Sequence, residues 1–419
     1  MVQVGRLISP PPQVLKCGNL DSRFQAVDDA LTPKSGGSLE PEERRPPLGN
    51  FVMTLKTHLL LLLVVWVGLA PHAWAEEKTA AQETPPKELR AKAEKGDADA
   101  QHSLAFIYFT GQGVPKDQAE AVKWWRKAAD KGHALSQTGL GNAYLNGNGV
   151  EKNAREAINW LRKAADQGEA LAQCNIGICY SYGQGVEKDP FEAVKWIRKA
   201  ADQGHALAQS NLGWMFLNGS GVKKDTFEAE KWYRKAAEQG LEDAQNNLGT
   251  MYLLGDGVEK DFIEAVKWWR KAAEQGHASA QYSLGLAYDN GHGVPKDEAE
   301  AVKWYRKGAE QGDANSQHNL GFAYDNGHGV PKDEAESVKW YRKAAEQGNA
   351  RSQHNLGLAY ANGHGVPKDD VLAYKWILLA GAKQEESREN IPIVEKRLTP
   401  EQRAEGQKLA REFKPVVQK

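Results

Sequence analysis

Residues 280–312 read AQYSLGLAYDNGHGVPKDEAEAVKWYRKGAEQG, two apolar stripes divided by Gly291-His292-Gly293. The copy that opens at Gly96 shows the same layout most plainly. There Ala100, Gln101, Leu104, Ala105 and Tyr108 fall on one helical face, and Gly111-Gln112-Gly113 interrupts the pattern. A second stripe follows: Ala121, Trp124, Trp125, Ala128 and Ala129. Spacing of i, i+3, i+4, i+7 and i+8 is helical and excludes an alternating strand. Each unit therefore predicts two helices joined by a tight glycine turn.

The unit repeats without drift. Tryptophan stands at Trp124, Trp160, Trp196, Trp232, Trp268, Trp304, Trp340 and Trp376, each 36 residues after the last. Glutamine keeps the same step from Gln101 to Gln353, and the Gly-x-Gly from Gly111 and Gly113 to Gly363 and Gly365. Eight copies fit between residues 96 and 383 with no insertion, the signature of a solenoid. Asp117 with Glu120 has capping-box spacing, repeated as Asp189 with Glu192, Asp261 with Glu264 and Asp333 with Glu336. Gly132, Gly168 and Gly204 stand where second helices need a left-handed exit. Glycine or alanine at position 105 and its equivalents allows paired helices to approach closely. The tryptophans lie on the alanine stripe, so they are expected to fill the core rather than stack on a ligand.

These residues resemble the Sel-1-like repeat family, a relative of the tetratricopeptide repeat. The matching segments read A-x-x-x-L-G-x-x-Y-x-x-G-x-G-V-x-K-D-x-x-E-A-x-K-W-x-R-K-A-A-x-x-G, with Gly308 replacing one alanine in residues 280–312. The resemblance implies an all-α, right-handed superhelical solenoid of eight 36-residue helix-turn-helix repeats, closed by a C-terminal capping helix. Thr399 as N-cap with Pro400 at the first helical position supports that last helix independently. The resemblance further implies that first helices line a concave groove used for protein partners, as in adaptors of envelope, secretion and signalling assemblies.

On the first copy the groove positions are Asp99, His102, Phe106, Phe109 and Thr110. Their equivalents vary while core positions barely change. Repeats three to five offer the apolar set Leu171, Ile178, Tyr182, Leu207, Trp214, Leu217, Leu253 and Leu254, with Trp214 as the expected anchor. Repeats six to eight are more polar, with Tyr282, Asp289, His318, Asp325, His354 and Asn362 at such places.

Outside the repeats the chain divides as follows. Residues 1–52 carry prolines, glycines and mixed charge without apolar periodicity, an expected disordered stretch or a mis-assigned extension. From Met53, a basic start, the apolar run 59–70 and Ala73-Trp74-Ala75 before Glu76 give the layout of a signal peptide over 53–75. That places the mature chain in the periplasm or outside the cell, and it makes Met53 the expected start in place of Met1. Residues 76–95 are expected as a linker and lead-in, 96–383 as the repeats, and 384–419 as the cap and tail.

The 419 residues carry 54 basic and 55 acidic side chains, a net charge of −1, which argues against a nucleic-acid binder or a polybasic membrane anchor. Three cysteines make no disulfide framework. A β-lactamase-type hydrolase needs Ser-x-x-Lys opening a helix and Lys-Thr-Gly on a strand. The match at Ser220 to Lys223 falls in a glycine-rich loop, and no Lys-Thr-Gly occurs. His292, His328 and His364 belong to successive loops, too far apart for one zinc ion, and are expected in solvent. Cys174 and Cys179 share a helix but point apart. No catalytic residue, cofactor or metal is expected. The expected function is an exported protein-binding scaffold; the rival readings are the hydrolase and a secreted, virulence-related binder of host proteins.

Overall fold

The computed structural model describes residues 86–416. The 1–52 extension, the 53–75 signal segment and Met53 lie outside them. The helical spacing produces nineteen helices among the described residues. Helix α1 (Lys87–Glu94) precedes the eight pairs. Repeats one to four are α2 (Ala98–Thr110) with α3 (Gln118–Ala129), α4 (Ala134–Asn146) with α5 (Ala154–Asp166), α6 (Ala170–Tyr182) with α7 (Pro190–Asp202), and α8 (Ala206–Asn218) with α9 (Thr226–Glu238). Repeats five to eight are α10 (Glu242–Leu254) with α11 (Phe262–Glu274), α12 (Ala278–Asn290) with α13 (Glu298–Glu310), α14 (Ala314–Asn326) with α15 (Glu334–Glu346), and α16 (Ala350–Asn362) with α17 (Asp370–Gly381). Helices α18 (Glu385–Glu395) and α19 (Pro400–Glu412) follow. From α1 to α17 each helix packs on its chain neighbours, and α18 and α19 both pack on α17, so the array is a helical solenoid.

Within a repeat the two helices touch where the small residue was expected. A Cβ on Gly177 would meet Ile197 Cγ1 at 2.4 Å, and one on Gly285 would meet Tyr305 Cε1 at 2.5 Å. Between repeats the junction is built from three recurring contacts. The first is a glutamine relay: Gln245 Nε2 donates to Ala237 O at 3.0 Å, and its Oε1 accepts from Gln275 Nε2 at 2.7 Å. The buried amide thus adds a second donor to a helix-end carbonyl that already accepts from Gly240 N at 3.0 Å. The second is an arginine reaching a tyrosine of the next repeat, as Arg270 to Tyr288 Oη at 2.6 Å. The third is the second glycine of each Gly-x-Gly. Turning alone does not account for that residue, contrary to the sequence reading. A Cβ on Gly257 would lie 2.2 Å from Thr226 O of the preceding repeat. Glycine is required there for close approach as well as for its φ of +73°.

The tryptophan stripe is core, buried at seven of its eight positions and half-buried at Trp196. Trp160 packs in the cluster of the preceding repeat, so the residue joins neighbours as well as filling its own.

Three sequence expectations need correction. The 76–95 lead-in is partly helical: in the last turn of α1 the Ala93 carbonyl accepts from Gln101 Nε2 at 2.9 Å, as Ala129 O does from Gln137. Helix α1 is thus the last half of a preceding second helix, and the register starts before Gly96. The capping boxes of the second helices are half made. Asp117 accepts from Glu120 N at 2.9 Å, but the Glu120 carboxylate binds Lys123 Nζ at 2.9 Å instead of returning to the cap. The reciprocal box forms only at Thr399 with Gln402, among the described helices. Finally, the C-terminal cap has two helices. Phe413 then packs edge-on to Trp376 at 5.6 Å, and Val416 N donates to Glu346 O at 2.8 Å, strapping the tail back across the last two repeats.

Candidate functional site: the outward face of the first helices

A helix that buries residues 101, 104, 105 and 108 turns 99, 103, 106 and 110 to the opposite side at about 100° per residue. Eight first helices in register align these four positions into one continuous face. Of the apolar set expected there, Tyr182 is 44% exposed, and Leu171, Leu207, Trp214 and Leu254 are half-buried. These five line the face. Ile178, Leu217 and Leu253 do not: they are 5%, 3% and 0% exposed. Leu217 and Leu253 occupy the position equivalent to 109, about 90° off the outward direction, and enter the core clusters. Ile178 is on an outward position but lies within the cluster on which Trp214 packs. Trp214 therefore both seals the core and presents part of its ring.

Two further apolar residues on this face were missed. Leu135, at the place of Leu171, is 46% exposed, and Phe322, at the place of Trp214, is 45% exposed. A second missed feature lies elsewhere. Phe191, Phe227 and Ile263, spaced by the repeat, are 68%, 74% and 58% exposed. They stand at the second residue of α7, α9 and α11, where α3, α5, α13 and α15 carry Ala119, Arg155, Ala299 and Ala335. The 36-residue alignment alone was enough to find them.

Towards repeats six to eight the face is polar and contains half-buried titratable groups. Burial raises the Asp289 and Asp325 carboxyls above the usual carboxylate range. Burial, helped by Arg351, lowers His318 to about 3, and its Nδ1 lies 2.9 Å from Ser352 Oγ. His318, Asn315, Asn349 and Arg351 border a cavity of about 120 Å³ near the N-terminal ends of α14 and α16. A cavity of about 160 Å³ opens between α14 and α16.

The residues weighed for other chemistry can now be placed. Ser220 and Lys223 lie in the turn after α8, ahead of the N-cap Asp225, and open no helix. The loop histidines are not alike: His328 and His364 are exposed, but His292 is half-buried and stacks on Phe262 at 5.0 Å. Cys174 and Cys179 are both buried thiols, and burial pushes the Cys179 thiol up to about 12, away from the reactive thiolate. No described helix is long and apolar enough to cross a membrane.

The Sel1 repeat family matches eight consecutive segments, residues 98–133, 134–169, 170–205, 206–241, 242–277, 278–313, 314–349 and 350–384. A Sel1 repeat protein from Oxalobacter formigenes is 35% identical over 74% of this chain and 89% of its own, with a TM-score of 0.55. A protective antigen present in uropathogenic Escherichia coli strains is 34% identical over 78% of this chain and 85% of its own, with a TM-score of 0.41. None of the curated proteins matches.

Proposed function

Since this chain belongs to the Sel1 repeat family, whose helical-repeat members typically mediate protein–protein interaction, we propose that it is an exported scaffold that binds a protein partner along its first-helix face. The observation that carries this reading is the part-open apolar strip in repeats two to five. Leu135, Leu171, Tyr182, Leu207, Trp214 and Leu254 keep accessible surface on this face, although Leu207, Trp214 and Leu254 also pack on the core clusters. A contiguous exposed apolar strip on a water-facing surface marks an interaction site. Export rests on the signal layout of residues 53–75, which predicts a mature chain beginning at Glu76 in the periplasm or outside the cell.

A specific observation also favours a second docking surface, the row Phe191, Phe227 and Ile263 on the second-helix starts. A pull-down from envelope extracts separates the two. The parent is expected to capture a defined partner. Trp214→Ala, folded by circular dichroism, should lose it, whereas F191S/F227S/I263S should keep it. The reverse pattern moves the site to the second row. Capture of a host protein instead of an envelope protein would support the virulence-related alternative. Nitrocefin turnover by the purified chain would overturn the scaffold reading in favour of a hydrolase. N-terminal sequencing of the mature protein tests export, and a chain retaining residues 1–52 would remove it.

A further inference from the structure

A cavity of about 160 Å³ lies between repeats seven and eight. Its floor is α15, with Ser337, Val338 and Tyr341; its walls are Asp325 from α14 and Asn355, Leu358 and Asn362 from α16. At the preceding junction the equivalent space holds Phe322 where this one holds Leu358, and Tyr305 Oη donates to Asp289 Oδ2 at 3.3 Å. Here the tyrosine and the acid do not close on each other. Tyr341 is 2% exposed and Ser337 1% exposed, and neither hydroxyl makes a hydrogen bond of ordinary geometry, although Ser337 and Asn355 both stand beside the Tyr341 hydroxyl. Buried polar groups left open in this way cost stability unless something else completes them.

The donor set indicates what would complete them. Two carboxylates, Asp325 and Glu334, and two side-chain amides, Asn355 and Asn362, offer acceptors around the space, with Leu358, Val338 and Ala359 as an apolar wall. Glu334 is already paired with Lys332 Nζ at 3.0 Å, whereas Asp325 has no cation that close. His364 borders the opening and is exposed. An occupant should therefore be a cation with several N–H donors on a slim apolar stem. A cavity near 150 Å³ accommodates a group of about benzene's size. A lysine side chain, an ammonium on a four-carbon stem, matches that size and that chemistry. We propose that this cavity is a side-chain subsite of the groove, which takes the ammonium end of a lysine presented by the bound partner. The proposal rests on the groove reading above, and it assigns the polar end of the face the choice of side chain while the apolar end supplies contact area. Burial raises the Asp325 carboxyl, the direction expected of an acid awaiting a counter-ion.

The test uses the full chain with 13C-labelled tyrosine rings, Tyr341 being assigned by its absence in Tyr341→Phe. N-acetyl-lysine methylamide should shift the Tyr341 signal saturably, with a Kd in the roughly millimolar range for so small a ligand. N-acetyl-norleucine methylamide, with the stem but no charge, should leave it unmoved. Asp325→Asn, near-isosteric and expected to keep the parent melting temperature, should weaken the lysine probe at least tenfold. Equal shifts from both probes, no saturable shift, or parent-like binding by Asp325→Asn overturns the proposal. Failure of the wider reading looks different. If a partner is captured and lost with Trp214→Ala while Asp325→Asn holds it and the lysine probe is silent, the groove stands and the subsite falls. If the probe binds as described but no partner is captured, the subsite stands and the groove reading falls.

Discussion

Gly257 and Gly113 occupy the same place in their repeats with nearly the same φ, +73° and +71°, yet they face different demands. A Cβ on Gly113 would meet nothing within 4 Å, whereas one on Gly257 would strike the Thr226 carbonyl. Gly113→Ala should therefore cost only the left-handed backbone penalty, about 1–2 kcal/mol. Gly257→Ala must also push two repeats apart, and its cost should exceed about 3 kcal/mol, in the range reserved for overpacked or broken junctions. Urea midpoints of the two variants check this, and equal losses would remove the junction role. A second prediction belongs to His318, packed at 5.6 Å from the Tyr341 ring. Its native value, lowered to about 3 from an ordinary 6.5, keeps the folded form neutral where the unfolded form takes up a proton. The unfolded state then binds more protons, so stability rises with pH across this window. The contribution is fully present above 6.5, declines as pH falls below it, and is spent near 3. Its slope has an upper bound of about 1.4 kcal/mol per pH unit. His318→Asn should flatten the urea midpoint between pH 6.5 and 4 relative to the parent, and an unchanged slope would assign the acid sensitivity elsewhere.

Helices and their junctions set the next scale. Gln245→Ala would remove two hydrogen bonds at once, but the Ala237 carbonyl keeps Gly240 N and the Gln275 amide keeps Lys271 O, so the cost should be about 1–3 kcal/mol at about 0.5–1.5 kcal/mol per bond. Gln101→Ala should cost less, because Gln101 Oε1 has no partner and only the bond to Ala93 O is lost. Equal unfolding midpoints for these variants would show that the relay adds nothing. At the far end, a chain stopped after Glu412 loses Phe413 from Trp376 and the Val416 bond to Glu346. Hydrogen exchange should speed up in α15 and α17 and stay unchanged in α7 to α11; uniform acceleration would contradict a local strap. The same elements show what the sequence could and could not reveal. Helices, period and terminal glycines were legible because they follow from local spacing and backbone sterics. The relay was visible only as a recurring glutamine, since its partners lie 8 residues back and 30 ahead on other helices. The half-made capping boxes were misread because Lys123, three residues past Glu120, competes for the carboxylate, and spacing says nothing of that competition.

Across the whole molecule each repeat meets only its neighbours, so stability is close to a sum of repeat and junction terms. The outward face was legible to the extent that helical geometry fixes it. Tyr182, Leu171, Leu207, Trp214 and Leu254 follow from phase, whereas Ile178, Leu217 and Leu253 were lost to neighbouring helices that one helix cannot foresee. The strict period allows that face to be shortened without touching the fold. Removing residues 242–277 would bring Gln281 to Ala237, Gly293 to Thr226 and Arg234 to Tyr288, restoring each junction contact with its own residue type. The shortened chain should stay folded with the same helicity per residue and a somewhat lower urea midpoint. Removing half a repeat, residues 242–259, would leave α11 without its partner helix and should unfold the neighbouring repeats. With the fold kept, the 36-residue deletion takes Leu254 off the first-helix face and Ile263 out of the second row, and it shortens the path from Trp214 to the cavity at Tyr341 by one repeat. A partner that spans both ends of the face should lose affinity for this chain more than for Trp214→Ala alone, because two anchors fall out of register together. A partner that uses the apolar end alone should tolerate the new spacing and lose only what Leu254 supplied. Comparing the two affinities therefore measures how many repeats the partner bridges.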